Sequence, residues 1–272
     1  MKIGLVPMSA KPYHAGHHML VELAAISEIT DEVKSLELPV NDKVAVFVSF
    51  SSRGVKKIKD PSDSRTLKQG ARKIEVVKDG ETPVFGTDMK YIWNNLLKPN
   101  LNLSSKVKII SPDDGASPAP VRSIHEVCGA LKEAFDANEE TWSVPYLGIT
   151  ARVSETVINI YSDDQDIITN YSDALMTQQY GELWKNQTGP AIQGVGVPRS
   201  ATIEISGTKM RGYLCKGDLD SFSELLPPLP DNVKKEIAQI LSNSAVCGLS
   251  MERQGAKNES LLRSYIHGIL AG

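Results

Sequence analysis

The sequence predicts an α/β fold in which an open, mostly parallel sheet is flanked by helices. Two observations carry that prediction. Short, mostly apolar runs at residues 3–6, 44–48, 107–110 and 157–161 read as strands, and 44–48 in particular looks buried on both faces. Between them lie stretches whose apolar residues recur at helical spacing. Strands alternating with helices imply parallel pairing through crossover connections. In such sheets ligands bind beyond the carboxyl ends of the strands, where the strand order reverses.

The first strand, residues 3–6, hands over to a helix at 17–27 with Leu20, Leu23 and Ala24 on one face. Residues 30–43 are charged, carry a proline and read as a connection, and 44–48 form the clearest strand. From Arg53 to Lys73 eight Lys/Arg face two Asp, a local balance of +6. This run reads as a solvated loop or as a flap that meets phosphates, with Arg53 the best candidate for contact. Residues 74–77 and 83–85 flank Asp79-Gly80 and predict a hairpin inside an insertion spanning 50–87. Asp88 suits an N-cap for a helix carrying Met89, Ile92, Trp93, Leu96 and Leu97, with Pro99 as its stop.

After the third strand, 107–110, a loop leads to a helix with Ile124, Val127, Cys128, Leu131 and Phe135 inward. Arg122 and His125 share its first turn, and Arg122 is a candidate contact for an acceptor substrate. Residues 139–155 have no clear period and stay unassigned. The fourth strand, 157–161, runs into Ser162-Asp163-Asp164-Gln165-Asp166. Those carboxylates read either as helix caps or as ligands for magnesium or a ribose hydroxyl. A helix follows at 172–185, a loop at 189–196, and a fifth strand at 201–205. Lys216-Gly217 reads as a C-cap, and Asp218 and Asp231 start two further helices. A last helix presents Leu261, Leu262, Tyr265, Ile266, Ile269 and Leu270, a face that docks on the core or pairs copies into a homo-oligomer. Residues 1–226 therefore form the α/β domain and 227–272 a helical extension.

Composition narrows the function. A chain of 272 residues with 41% hydrophobic and 23% charged residues has ample material for a core. A net charge of −3 gives no global basic field to recruit nucleic acid. Three widely spaced cysteines form no CxxC, which argues against a disulfide framework or a zinc site. With no signal-like segment and no long apolar run, the expectation is a cytoplasmic protein without a membrane partner.

Two motifs carry the chemistry. His14-Ala15-Gly16-His17 stands where the first strand meets the first helix. Imidazoles three residues apart share one side of a helical turn, beside the free N–H groups of a helix N-terminus, and suit a phosphate. The glycine between them lets a ligand approach the backbone. Near the other end, Ser206-Gly207-Thr208-Lys209-Met210-Arg211 opens a helix. Its hydroxyls and free N–H groups form a second anion cradle, and Arg211 reaches back one turn to the same anion.

These two motifs resemble the HxGH and ISSTxxR signatures of the nucleotidyltransferase superfamily, in its cytidylyltransferase and adenylyltransferase branch, including the compact enzymes of large bacteriophages. The resemblance implies a Rossmann-like five-stranded sheet of order 3-2-1-4-5. It also implies transfer of CMP or AMP from a nucleoside triphosphate to a small phosphate-bearing acceptor, with magnesium accompanying the triphosphate and pyrophosphate leaving. By matching positions, His14 and His17 would contact the α- and β-phosphates, and Ser206, Thr208 and Arg211 the departing phosphates. Lys11 would reach the α-phosphate or the acceptor, and it stands where many members carry Asp or Gln. Pro7, Met8, Gly16, Gly207, Lys209, Asp163 and Asp164 would complete the nucleotide contacts, and no residue is expected to be a dedicated metal ligand. Two readings compete within the superfamily, a nicotinamide mononucleotide adenylyltransferase and an ATP sulfurylase. A third, from another class, is a nucleotide-binding sensor that has lost catalysis.

Overall fold

The structure is a computed structural model that describes residues 1–9, 12–26, 38–50, 55–77, 86–198 and 205–244. Five parallel strands make the central sheet: β1 (Lys2–Met8), β2 (Lys43–Val48), β5 (Val107–Ile110), β8 (Val157–Asp163) and β9 (Ala191–Val197). Their spatial order is β5-β2-β1-β8-β9. Counting only these strands along the chain, that is 3-2-1-4-5. The chain builds outward from β1 to β2 and β5, then returns to the other side of β1 for β8 and β9. The order therefore reverses between β1 and β8, the place where such sheets open a crevice for ligands.

Helices cover both faces, and alternating strand residues divide between them. On one face Val6, Met8, Val44, Val46 and Tyr161 pack with α1 (Ala15–Ala24), α2 (Gly86–Tyr91) and its π-helical continuation Ile92–Leu97. The helices α6 (Gly207–Lys216), α7 (Leu219–Glu224) and α8 (Asp231–Ser244) complete that layer. On the other face Ile3, Leu5, Ala45, Phe47, Ile158 and Ile160 meet α3 (Pro120–Asp136) and α5 (Asp173–Tyr180). A short helix, α4 (Asp164–Asn170), follows β8 directly and sends Ile167 into this second layer.

A buried amide network locks the first layer to the sheet. Asn41 Nδ2 donates to Ala24 O and to the Tyr161 hydroxyl, both at 2.8 Å. Its Oδ1 accepts from Asn159 Nδ2, whose own Oδ1 accepts from Gln193 Nε2, both at 2.6 Å. The Tyr161 hydroxyl donates onward to Pro39 O at 2.9 Å. Asn41 and Asn159 are fully buried, so each unmade bond there would carry its desolvation penalty. Gly4 makes room for this network, since a Cβ at that position would stand 3.0 Å from Asn41 Nδ2.

Several elements differ from the sequence expectation. The fifth strand is β9, which lies in the stretch 189–196 expected to be a loop. Residues 201–204 of the expected strand lie outside the described residues, and Ile205 is not in a strand. Gln193, Gly194 and Gly196 break the apolar pattern. In the sheet, Gly194 is where the Ile167 side chain and the Trp184 ring come within 3.5 Å of the position a Cβ would take. The inserted ribbon pairs β3 (Val55–Lys59) with β4 (Lys73–Val77), and residues 83–85, the second arm of the expected hairpin, lie outside the described residues. Lys56, Lys57, Lys59 and Lys73 of the basic run are thus in strands. The loop between β3 and β4 is held by Asp60 and Asp63, which accept from Ser62, Arg65 and Arg72 backbone N–H groups. The Asp79-Gly80 turn lies outside the described residues.

Pro99 does not stop its helix. It lies in a short turn, Lys98–Asn100, that continues the π-helical stretch, and helical structure ends at Asn100. The unassigned stretch contains an antiparallel pair, β6 (Thr141–Val144) and β7 (Ile149–Arg152). The helix expected over 172–185 is shorter: α5 ends at Tyr180, and a single 3₁₀ turn, Gly181–Leu183, follows. Gly217 caps α6 in the left-handed conformation, as expected. Cys128 is a buried free thiol, whereas Cys215 is disulfide-bonded, a bond that the spacing of the cysteines did not lead one to expect. Among the described residues no helix is long and apolar enough to cross a membrane. The last expected helix, beyond residue 260, lies outside the described residues.

Candidate functional site

β1 ends at Pro7 and Met8, and α1 begins seven residues later at Ala15. His14 is the N-cap, with extended φ −140° and ψ 171°. Its Nδ1 accepts the His17 N–H at 3.3 Å, a role ordinarily taken by Ser, Thr, Asp or Asn. That bond assigns the His14 proton to Nε2, which is left as a donor. The two imidazoles stack with centroids 3.7 Å apart and planes 27° from parallel. Thus the spacing of the motif becomes a direct ring contact.

The first-turn N–H groups of α1 are individually accounted for. Ala15 N–H donates to Leu225 O at 2.9 Å, His17 N–H to His14, and His18 N–H to His14 O at 3.0 Å. Gly16 is buried, and its N–H has no partner among the described residues. The N-terminus of α6 repeats the arrangement. Ser206 is its N-cap and accepts from Lys209 N at 3.1 Å, while Gly207 and Thr208 N–H groups have no partner among the described residues. Arg211 Nη2 donates to Thr208 Oγ1 at 3.2 Å, the one-turn reach expected from the sequence. Ser206, Thr208 and Lys209 are exposed. Met210 and Leu214 of α6 share a core cluster with Tyr13, so both motif helices stand on the same face of the sheet.

Electrostatics set the histidines' charge. Burial pushes the His14 imidazole down to about 4. His17 lies well below its ordinary 6.5, through burial first and the neighbouring His14 second. Both are therefore neutral at pH 7. His17 reaches the surface at one edge, but its Nδ1 is buried and has no hydrogen-bond partner among the described residues.

Two flanking residues were missed in the sequence. Tyr13 stacks on His17 at 5.8 Å and 12° and meets Trp93 edge-on at 4.8 Å. Burial keeps its hydroxyl protonated well above the ordinary phenol range, and that hydroxyl is hydrogen-bonded to His18 Nδ1 at 3.2 Å. His18 Nε2 faces Glu22 at 3.4 Å. This chain of contacts fixes the wall behind the histidine pair. The available signals were an aromatic immediately before the motif and a His–Glu pair four residues apart.

The remaining candidates divide. β1 and β8 pair as far as Leu5 and Ile160, three residues before each strand ends, at Met8 and Asp163. Asp163 Oδ1 accepts the Asp166 N–H at 3.0 Å, which makes it a cap for α4, and Asp164 is the first residue of that helix. Ser162 Oγ donates to Asp166 Oδ2 at 3.4 Å. Arg122 is exposed on α3, across the sheet from the histidines, and pairs with Glu126 at 3.1 Å. His125 faces the Tyr180 hydroxyl at 2.7 Å rather than the motif helices. Lys11 and Arg53 lie outside the described residues.

No protein-family model matches the chain, and no curated protein matches it in sequence.

Proposed function

We propose that the chain is a nucleotidyltransferase that moves CMP or AMP from a nucleoside triphosphate to a small phosphate-bearing acceptor and releases pyrophosphate. The observation that carries this reading is the stacked pair His14 and His17 at the start of α1, beside the point where strand order reverses. A second helix N-terminus with open N–H groups and Arg211 supports it from the same face. A sheet of this order with both signature motifs is the Rossmann-like architecture of the superfamily that the motifs resemble.

In this reading the acceptor phosphate attacks the α-phosphorus in line, one P–O bond forms as the bond to pyrophosphate breaks, and no covalent enzyme intermediate arises. The protein supplies position and charge stabilisation. His14 Nε2–H and the Gly16 N–H point donors at the α- and β-phosphates. Ser206, Thr208, the α6 N–H groups and Arg211 hold the departing β- and γ-phosphates. Because burial holds the imidazoles neutral, charge developing on the phosphates strengthens their hydrogen bonds and favours proton uptake. Among the described residues no group of three or more His, Cys, Asp or Glu could hold a metal ion. Magnesium would be carried by the triphosphate oxygens.

The test is pyrophosphate release with ATP, CTP, GTP and UTP in turn against a panel of phosphomonoesters. Release should depend on one triphosphate and one acceptor, and His14→Ala should lower turnover by about two to four orders of magnitude. Turnover in His14→Ala close to that of the unaltered chain would remove the assignment.

A further inference from the structure

We propose that the chain carries a second anion site, for a small phosphate-bearing ligand, at the end of the sheet opposite the histidine pair. The proposal is independent of the nucleotidyltransferase reading. It starts from a groove of about 400 Å³ lined by Lys43, Lys106 and Lys108 together with Ile3, Leu147 and Ile149. That volume lies within the range of small-molecule sites.

Strand register sets two of the lysines on one face. Ala45 pairs with Lys108, and Lys43 lies two residues before Ala45. Paired residues and residues two apart share a face of a sheet. Lys43 and Lys108 therefore project on the same side, at the amino ends of β2 and β5, and Lys106, in the turn that precedes β5, lines the groove with them. The turn Pro145–Leu147, between β6 and β7, closes the groove from above.

Backbone carbonyls are what hold the ammonium groups. Lys43 Nζ donates to Gly148 O at 3.3 Å, Lys108 Nζ to Tyr146 O at 2.9 Å and Lys106 Nζ to Asn41 O at 3.1 Å. Among the described residues none of the three forms an ion pair. Asp42, the acid in the lining, has an oxygen already engaged by the Lys2 backbone N–H at 2.7 Å. Asp114 is near enough for Lys108 to lower its pKa, but it is bonded to Ser111 and lies 3.9 Å from Lys98.

Like charges on facing strands repel, and each ammonium keeps two donors beyond its carbonyl bond. A phosphate dianion between them would offset the repulsion and accept charge-assisted bonds from more than one lysine. Beneath the lysines the groove is backed by the buried side chains of Ile3, Leu147 and Ile149. A lining that combines convergent cations with an apolar surface fits a discrete phosphorylated molecule.

Calorimetric titration with tripolyphosphate tests this in a His14→Ala/Arg211→Ala background, which disables the cradle at the other end of the sheet. Saturable binding should persist there, and adding Lys43→Gln and Lys108→Gln should weaken it by about tenfold or more. In parallel, inorganic phosphate added to the unaltered chain should shift the amide resonances of residues 106–108 and 146–148. Loss of binding in the background variant, equal affinity with and without the two glutamines, or unmoved resonances would each overturn the proposal. None of these results bears on turnover at the histidine site.

Discussion

Acidification should destabilise this protein through its histidine pair, by an amount that follows from His14. Burial holds that imidazole at about 4, against an ordinary 6.5 in the unfolded chain. Between those values the unfolded chain binds more protons than the folded one, so stability rises with pH across the window and is lost as pH falls toward 4. At pH 5 the loss from His14 is roughly 2 kcal/mol. With only 6% of His14 exposed, solvent screening removes little of it. His17, displaced in the same direction, adds to the effect. Urea unfolding at pH 7 and pH 5 measures it, with His14→Asn as the comparison because Asn keeps an acceptor suited to the N-cap. The unaltered chain should lose roughly 2 kcal/mol more than the variant between the two pH values. Equal losses, or imidazole resonances that titrate near 6.5, would refute the reasoning.

The same burial predicts that a bound triphosphate raises both imidazole pKa values. Binding should then take up protons and tighten as pH falls below 7, which calorimetry in buffers of different ionisation enthalpy detects; binding with no net proton exchange would contradict it. Asn41→Leu should destabilise the fold by about 2–4 kcal/mol in urea titrations, because Ala24 O and Asn159 lose their partners inside the core. Ser206→Ala should lower stability by about 1 kcal/mol through loss of the α6 cap, read as a shift in the urea midpoint. It should also weaken triphosphate binding, whereas a variant with unchanged affinity would detach Ser206 from the site.

Four strands of the sheet were legible because each is a short, mostly apolar run enriched in β-branched residues and too brief for a helix. The fifth was hidden by composition. Gly194 admits the Ile167 and Trp184 side chains, and Gln193 is tied to Asn159, so tertiary contacts rather than local pattern make that strand. The β6–β7 pair did carry a period of two, with Trp142 and Val144 buried between exposed Thr141 and Ser143. Four residues were too few to register it. Asp60 and Asp63 looked like isolated acids in a basic run, yet their bonds to backbone N–H groups organise the loop that joins β3 to β4. At the histidine site the two motifs were legible from spacing alone. Their setting was not: the 3.7 Å ring stack and the burial that keeps the pair neutral arise from helix packing. The Tyr13–His18–Glu22 contacts behind it likewise depend on how α1 meets Trp93. Arg122 shows the reverse case, since a position after a strand looked suited to substrate while the fold sets it across the sheet beside Glu126.

The most direct test of the central claim is to follow label from triphosphates marked separately at the α- and γ-phosphorus, using the triphosphate and acceptor that the release assay selects. The account predicts that α-label moves to the acceptor and γ-label to pyrophosphate, and that both transfers collapse in His14→Ala. Appearance of γ-label on the acceptor or in inorganic phosphate, with α-label left on a nucleoside diphosphate, would contradict it and make the chain a phosphoryl-transfer enzyme instead.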